Sequence, residues 1–284
     1  NPEVSMTYLL SNDDSFDDKN YYLMRVIANL LFFCYTLNDM PNLFIGTSGW
    51  NYPHWQGVFY PENLSQSRWL EYYVKSFNAV ELNVTFYRLV QKKTFENWYK
   101  HTPKGFYFVA KGSRFITHIK RLKDCKEALN LFFSNCLALK EKLACVLWQL
   151  PAGYKKDLKG LRDFLKYLHK IRLRQAFEFR NLTWFDKEVY SLLEDYNACL
   201  CIADSDRWPC IKKITADFIY LRFHGDNGLY CTDYSDEKLR EWARFARETK
   251  KDIFAFFNND AYGFAVKNAI RFRQFLENDS SAKK

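Results

Sequence analysis

Several features that mark common protein classes are missing from this sequence of 284 residues. Its eight cysteines form no C-x-x-C pair and have no regular spacing, which argues against a zinc finger and against a disulfide framework. The sequence also contains no P-loop, no EF-hand loop and no glycine-rich dinucleotide turn. Nucleotide, calcium and dinucleotide sites of those kinds are therefore not expected.

A membrane span and an export signal are missing as well. The apolar run 26–37 is interrupted by Asn29 and is too short to cross a bilayer. Acidic residues precede this run, where an export signal requires positive charge; they are Asp13, Asp14, Asp17 and Asp18. We therefore expect a cytoplasmic protein with reduced cysteines and no membrane partner.

The composition is that of a globular protein with a basic body. Hydrophobic residues make up 48% of the chain and charged residues 26%, and the net charge is +9. Residues 1–40 hold six acidic and two basic side chains, a net of −4, which leaves +13 for residues 41–284. This charge favours an anionic partner, with DNA and RNA among the candidates; a general solubility charge is the alternative. The sequence specifies neither a cofactor nor an oligomeric state.

From Leu43 onward the hydrophobic pattern alternates between the periods of strands and helices. Strands are predicted at 43–48, 79–86, 106–111, 144–150, 175–180, 198–204, 218–224 and 252–258. Helices are predicted near 65–77, 91–101, 124–142, 157–171, 184–197, 235–250 and 262–277. The spacing predicts an α/β fold, a (β/α)8 TIM barrel over 42–284, with an open doubly wound sheet as the alternative. The extension 1–41 carries an extra N-terminal helix over 17–38.

Polar side chains occupy the ends of the predicted strands, where TIM barrels place their chemistry. In the stretch 217–225, Tyr220, Arg222 and His224 lie on one strand face, opposite Leu221 and Phe223. A purely structural barrel would fill inward positions with branched apolar residues, so these groups predict a ligand site. The candidate site consists of Glu81, Asn83, Thr85, Lys111, His118, Gln149, Glu178, Arg180, Asp204, Arg222, His224, Asn258 and Asp260, with Trp50 and Tyr52 in the loop after the first strand.

The basic members of this set predict an anionic ligand. Lys111, Arg180 and Arg222 are expected to bind phosphate or carboxylate oxygens, whose geometry the guanidinium group matches. Because Arg180 and Arg222 would repel a divalent cation, a metal site is less favoured. Some of these charges are alternatively buried ion pairs that hold the strands in register, Glu178–Arg222 for example.

Catalytic roles are predicted for Glu178, His224 and Asp204. Glu178 and His224 would act as general acid and base, because histidine titrates near neutrality and burial can raise a glutamate towards it. The substrate or a metal would be oriented by Asp204, Asn258 and Asp260. Trp50 and Tyr52 would stack on bases or sugars; a packed lid over the barrel mouth is the alternative.

Short motifs occur in order between about residues 43 and 277. They are Gly46-Thr47-Ser48-Gly49-Trp50-Asn51-Tyr52, Phe59-Tyr60-Pro61, Glu81-Leu82-Asn83-Val84-Thr85-Phe86-Tyr87, Thr117-His118, Gln149-Leu150-Pro151, Glu178-Phe179-Arg180, Ala203-Asp204-Ser205, Arg222-Phe223-His224-Gly225, Asn258-Asn259-Asp260 and Asn268-Ala269. Together they resemble the YecE-like proteins, domain of unknown function 72. The resemblance implies a TIM barrel and, since the family has been likened to apurinic endonuclease barrels, nucleic-acid binding. Val90 and Ala152 stand where the family often has proline, and residues 1–41 lie outside the match.

The leading functional hypothesis is an enzyme that binds a phosphate-bearing ligand at the C-terminal barrel mouth. Nucleic acid is the preferred ligand class and phosphodiester hydrolysis the preferred reaction. One alternative is a lyase or isomerase of a small phosphorylated or carboxylated metabolite. The other is a non-catalytic nucleic-acid-binding protein whose affinity comes from its basic surface.

Overall fold

The computed structural model of the chain describes residues 41–225 and 228–278. The helix predicted over 17–38, and with it the extension up to residue 40, lies outside the described residues. Within the described part of the chain, no helix is both long and apolar enough to cross a membrane. The seven cysteines described there are all free.

Parallel strands form one eight-stranded sheet that closes into a barrel, as the alternation of the sequence predicts. The strands are β1 (Leu43–Thr47), β2 (Ala79–Leu82), β3 (Tyr107–Lys111), β4 (Leu143–Gln149), β5 (Arg174–Glu178), β6 (Cys199–Asp204), β7 (Phe218–Phe223) and β8 (Asp252–Phe257). Neighbours in the sequence are neighbours in the sheet, and β8 pairs with β1. A parallel bridge between Ser48 and Glu81 completes the circle between β1 and β2.

Helices connect most of the strands on the outside of the barrel. They are α1 (Trp69–Tyr73), α2 (Val84–Tyr87), α3 (Lys92–Lys100), α4 (Lys126–Cys136), α5 (Leu158–His169), α6 (Lys187–Asp195), α7 (Asp236–Glu248) and α8 (Phe264–Asn278). The connection 205–217 between β6 and β7, all of it described, contains no helix. An unpredicted π-helical turn, Phe115–Ile119, follows β3 and carries His118.

The second strand ends four residues earlier than predicted. The sequence Val84-Thr85-Phe86 has the β-branched and aromatic character of a strand, yet it forms the single helical turn α2. The Thr85 hydroxyl donates to the Leu82 carbonyl at 2.7 Å, and this side-chain bond takes the place of a ladder bond. Thr85 therefore lies beyond the strand, with its hydroxyl also 2.6 Å from the Lys111 carbonyl.

Alternate residues of each strand fill two separate layers. Residues such as Ile45 and Leu221 pack outward against the helices, whereas Phe44, Tyr220 and Phe254 pack inside the barrel. Cys199 and Cys201 belong to the inner layer. Leu200 and Ile202 take the outward positions of β6.

Side chains rather than a backbone ladder hold β1 against β2. The Asn78 amide accepts from Ile45 N and donates to the Leu43 carbonyl, while the Tyr73 hydroxyl donates to the Ala79 carbonyl at 3.1 Å. The approach is so close that a Cβ on Gly46 would lie 1.9 Å from the Ala79 oxygen. Glycine at position 46 is therefore required for barrel closure.

Candidate active site

Arg222 lies at the centre of the C-terminal barrel mouth and is completely buried. Its guanidinium makes a two-point contact with Glu81, through Nη2–Oε1 at 2.7 Å and Nε–Oε2 at 3.1 Å. Its third nitrogen, Nη1, donates to Glu178. The three side chains come from β7, β2 and the end of β5, so one cation ties three strands together across the barrel. The structure thus supports the ion-pair alternative for Glu178–Arg222.

Further donors saturate the two carboxylates. Ser48 Oγ donates to Glu81 Oε1 at 2.9 Å and the Tyr220 hydroxyl to Oε2 at 2.7 Å. Arg180 Nε donates to Glu178 Oε1 at 2.7 Å. With its partners on all sides, Arg222 has no free edge for a ligand, and the prediction that it binds the anion directly is not supported by this geometry.

The charge state of Glu178 differs from the expectation for a general acid. Burial alone would raise the pKa of this carboxyl group, but Arg180 and Arg222 outweigh burial and hold it well below the usual range. Burial also raises the pKa of Glu81, but Arg222 and Lys111 outweigh burial, so the net shift is downward. Both carboxylates are therefore ionised at neutral pH, and the predicted raising of the Glu178 pKa is wrong.

His224 is buried beside this cluster and has one unused nitrogen. The Asn258 amide nitrogen lies 3.2 Å from Nδ1, so the neutral ring carries its proton on Nε2. Nε2 is 3.7 Å from Glu178 Oε1 and has no hydrogen-bond partner among the described residues. Burial and the nearby Arg222 lower the His224 pKa to about 4, so the imidazole is neutral at pH 7.

Lys111, the last residue of β3, is the one basic group of the predicted set whose cation lacks a polar protein partner. Its side chain is 6% exposed, and its amine lies over the Phe86 ring at 4.4 Å. The amine makes no hydrogen bond or ion pair with residues 41–225 or 228–278. Burial and then Arg222 lower the Lys111 pKa to about 7, against the opposing effect of Glu81 and Glu178.

His118 and Gln149 line the same side of the mouth. The Thr117 hydroxyl lies 2.9 Å from His118 Nδ1, and Gln149 Nε2 lies 3.4 Å from His118 Nε2. Burial, together with Lys111 and Arg180, lowers the His118 pKa to about 4. At neutral pH His118 is thus a polar, uncharged neighbour of Lys111.

Three predicted site residues lie away from the cluster. Asp204 occupies an outward position of β6, where its carboxylate accepts from Trp242 Nε1 of α7 at 3.2 Å, so its predicted catalytic role has no geometric basis. Asp260 lies at the rim, 3.8 Å from the His54 ring. Trp50 packs edge-on against Trp98 of α3 at 5.2 Å.

The loop after β1 is a packed structure. The Tyr52 hydroxyl donates to the Ser48 carbonyl at 2.6 Å, and its ring contacts Trp55. Asn83 donates to the same carbonyl at 3.0 Å, and its own oxygen, Oδ1, is buried without a partner among the described residues. For Trp50 and Tyr52 the packed-lid alternative therefore describes the observed contacts.

Sequence reasoning left Ser48, Tyr220 and Trp208 out of the candidate site. Ser48 and Tyr220 lie at strand positions that face the site, but neither side chain is charged at neutral pH, and charge was the property that drew attention to Lys111, Glu178 and Arg222. Trp208 lies in the irregular 205–217 connection, with Arg180 over its ring at 4.3 Å. A proximity of this kind between two loops has no periodic signal in the sequence.

A shallow basic cleft of about 480 Å³ adjoins the cluster on the Arg180 side. Its lining combines Arg180 and Arg207 with the Trp208 ring. Within residues 41–225 and 228–278, no cluster of three or more histidine, cysteine, aspartate or glutamate side chains could hold a metal ion. The arrangement offers an amine without a protein acceptor, a cationic Arg180 and two ionised carboxylates that Arg222 bridges.

Comparisons with known proteins identify relatives of the whole barrel. The family model described as "Protein of unknown function DUF72" matches residues 44–284. The UPF0759 protein YunF of Bacillus subtilis is 27% identical over 272 residues, which cover 83% of this chain and 95% of YunF. The UPF0759 protein YecE of Escherichia coli K12 is 28% identical over 127 residues, 44% of each chain.

Solved structures agree with this relationship. A DUF72 family protein from Thermotoga maritima is 32% identical, with a TM-score of 0.74 over 83% of this chain and 99% of its own. Another, from Enterococcus faecalis, is 19% identical with a TM-score of 0.71, covering 82% and 95% of the two chains, and that likeness shows the fold alone. These descriptions name no substrate and no reaction.

Proposed function

Because this chain belongs to the DUF72 family of proteins of unknown function, we propose from its site that the barrel mouth is the active centre of an enzyme. The substrate is a small metabolite that carries a phosphate or a carboxylate, and the reaction is that of a lyase or an isomerase. Arg180 binds the anionic group, and the Lys111 amine takes part in the chemistry. His224 supplies a neutral imidazole beside them.

The observation that carries this proposal is the unpaired amine of Lys111. A largely buried cation without a hydrogen-bond acceptor from the protein costs free energy. The neighbouring carboxylates compensate only in part, because each is already engaged by Arg222, and neither accepts a hydrogen bond from the Lys111 amine. A perturbed, unpartnered group in a concave site is typical of a functional residue.

The geometry favours this reaction class over phosphodiester hydrolysis. In the hydrolytic hypothesis Glu178 and His224 exchange protons and Arg222 holds the phosphate. Glu178 is instead kept ionised by two arginines, and Arg222 is enclosed by its partners. Lys111, with a pKa of about 7, can both take and give a proton near neutrality.

The proposal is tested by calorimetric screening of phosphorylated and carboxylated metabolites against the wild type, Lys111→Met and Arg180→Gln. We expect one chemical class to bind, and each substitution to weaken its binding by about tenfold or more, the loss of one charged contact. Lys170→Gln, an exposed lysine before β5 at the other end of the barrel, serves as the control. Binding that is equal in all four proteins would exclude this site.

A second candidate, nucleic-acid binding, is favoured by the rim of the mouth. The exposed aromatic side chains Tyr87, Phe115 and Tyr262 lie on loops that follow β2, β3 and β8, with exposed fractions of 69%, 45% and 67%. Arg88 and Arg114 are their exposed chain neighbours. Aromatic platforms beside basic groups suit single-stranded nucleic acid, and DNA or RNA therefore stays a proposed partner.

A further inference from the structure

We propose that Lys111 forms a Schiff base with its substrate, so that the substrate of the barrel mouth is an anionic aldehyde or ketone. This inference rests on the proposed function and names the substrate class of that site. It assigns a covalent role to the amine, beyond charge or proton transfer.

The position of the amine suits a nucleophile. Lys111 ends β3, and the Phe86 ring below its amine, 4.4 Å away, offers no hydrogen-bond acceptor in the ring plane. Since no described residue accepts a hydrogen bond from Nζ, the nitrogen lone pair is free once the proton has left. A desolvated lysine beside another cation is the arrangement that activates an amine for attack on a carbonyl.

Another lysine of the chain shows what a structural buried lysine looks like. Lys142 is also 6% exposed. Its Nζ donates to the carbonyls of Tyr99 and Thr102 at 2.7 and 2.6 Å, and to Thr102 Oγ1 at 3.0 Å. The two lysines are equally buried, but Lys142 has three hydrogen-bond acceptors and the Lys111 amine has none among the described residues. This difference separates a supporting lysine from a reactive one.

The charged groups facing Lys111 come from several strands. Arg222 and Arg180 lower its pKa, whereas Glu81 and Glu178 raise it, and the neutral His118 is a further neighbour. The two carboxylates have fixed negative charge, so they can stabilise a positively charged iminium in the place of the ammonium group. Arg180 stays available for the phosphate or carboxylate of the same substrate.

The covalent step balances without a further reactant. The neutral amine attacks the carbonyl carbon, a C–N bond forms, and the carbonyl π pair moves to oxygen. Both amine protons then leave with that oxygen as water, and the C–O bond is replaced by C=N. Protonation of the imine nitrogen gives an iminium that accepts the electron pair of a neighbouring C–H or C–C bond, the step that a lyase or isomerase requires.

Reductive trapping on the wild-type chain tests the inference. Glyoxylate, a small anionic aldehyde, is added in limiting amount at pH 7 with cyanoborohydride, and the carboxymethylated lysines are identified by peptide mass spectrometry. We expect Lys111 to be modified at least about tenfold faster than the exposed lysines, because its lowered pKa leaves much of its amine unprotonated at pH 7. Lys142 should stay unmodified.

The pH profile gives a second, independent result. Trapping at Lys111 should rise with a midpoint near pH 7, in keeping with a pKa of about 7. Labelling spread evenly over surface lysines, with Lys111 unmodified, would overturn the Schiff-base assignment. If anionic metabolites nevertheless bind and Lys111→Met abolishes that binding, the proposed function survives without the covalent step; if neither occurs, both are refuted.

Discussion

At the residue scale, Arg222 has a structural role, although an arginine at a strand end could equally bind a ligand. Its guanidinium is shared between Glu81 and Glu178, and all three side chains are fully buried. Removal of the cation would leave two carboxylates without their main partner in a region without solvent. The residue therefore holds the three strand ends together, while Lys111 and Arg180 remain for the proposed ligand.

Arg222→Met is expected to destabilise the protein strongly, because it leaves buried charges uncompensated, at a cost of about 3–5 kcal/mol. Arg180→Met, which leaves Glu178 paired with Arg222, should cost less than about 1.5 kcal/mol, the range of one hydrogen bond. Urea unfolding followed by circular dichroism measures both. Equal losses for the two variants would contradict the assigned roles.

His224 predicts how stability depends on pH. Its pKa is about 4 in the folded protein, against 6.5 as the ordinary value. The unfolded chain therefore takes up a proton first as the pH falls, and stability is lost between about pH 6.5 and pH 4. Below that window the depressed pKa values of Glu81 and Glu178 add a further loss.

His224→Gln should make this pH dependence shallower, with about one proton fewer taken up on unfolding between pH 6.5 and pH 4. His118, whose pKa is also lowered to about 4, should account for part of the slope that remains. Unfolding free energies at half-unit pH intervals provide the measurement. An unchanged slope in the variant would mean that His224 is not held neutral by the fold.

At the scale of elements, the β1–β2 contact is the place where barrel closure depends on particular side chains. Asn78 and Tyr73 supply the hydrogen bonds that a backbone ladder supplies between the other strands. The two strands approach so closely there that Gly46 has no room for a side chain. Ser48 and Glu81, at the end of the same contact, belong to the site.

Gly46→Ala is expected to destabilise the barrel by about 2 kcal/mol or more, since overpacking forces the backbone to shift. Because the shift would move Ser48 and Glu81, the loss of metabolite binding should accompany it. Gly153→Ala is the matched control, as a Cβ there meets nothing within 4 Å. Thermal unfolding of both variants measures the loss of stability. Similar melting temperatures would show that β1 and β2 can move apart at no cost in stability.

At the scale of the whole molecule, the distribution of charge separates general attraction from recognition. Residues 41–284 carry +13, and the βα loops add exposed aromatic side chains at the mouth. A surface of this kind attracts polyanions by releasing counterions, whatever the site at its centre does.

Affinity for a short single-stranded oligonucleotide should therefore fall steeply with added salt, with log K linear in log salt concentration. Lys111→Met should change that affinity by less than about threefold, because phosphate contacts are spread over many bases. Fluorescence anisotropy at several salt concentrations measures it. A selective, salt-resistant loss of oligonucleotide binding in Lys111→Met would instead make nucleic acid the ligand of the site.

The amino-acid sequence by itself determined the barrel and most of its polar mouth. Strand and helix periods predicted the eight strands and seven of the helices in the right order, since each period reports local burial. The same alternation placed Glu81, Lys111, Glu178, Arg222 and His224 at strand ends, where parallel strands of a barrel must converge. The sequence pattern did not predict the early end of β2, because the Thr85 hydroxyl competes for the Leu82 carbonyl. Strand propensity does not encode such a contact.

Only the tertiary structure decided what each polar group does. The alternation of the sequence predicts that Asp204 and Cys201 lie on opposite faces of β6, but barrel closure decides which face is inside. The ionisation of Glu178 and Lys111 depends on charges contributed by several strands, summed over distances that no sequence pattern specifies. Whether a buried amine has hydrogen-bond partners depends on acceptors that folding brings to it, and in this respect Lys142 and Lys111 differ.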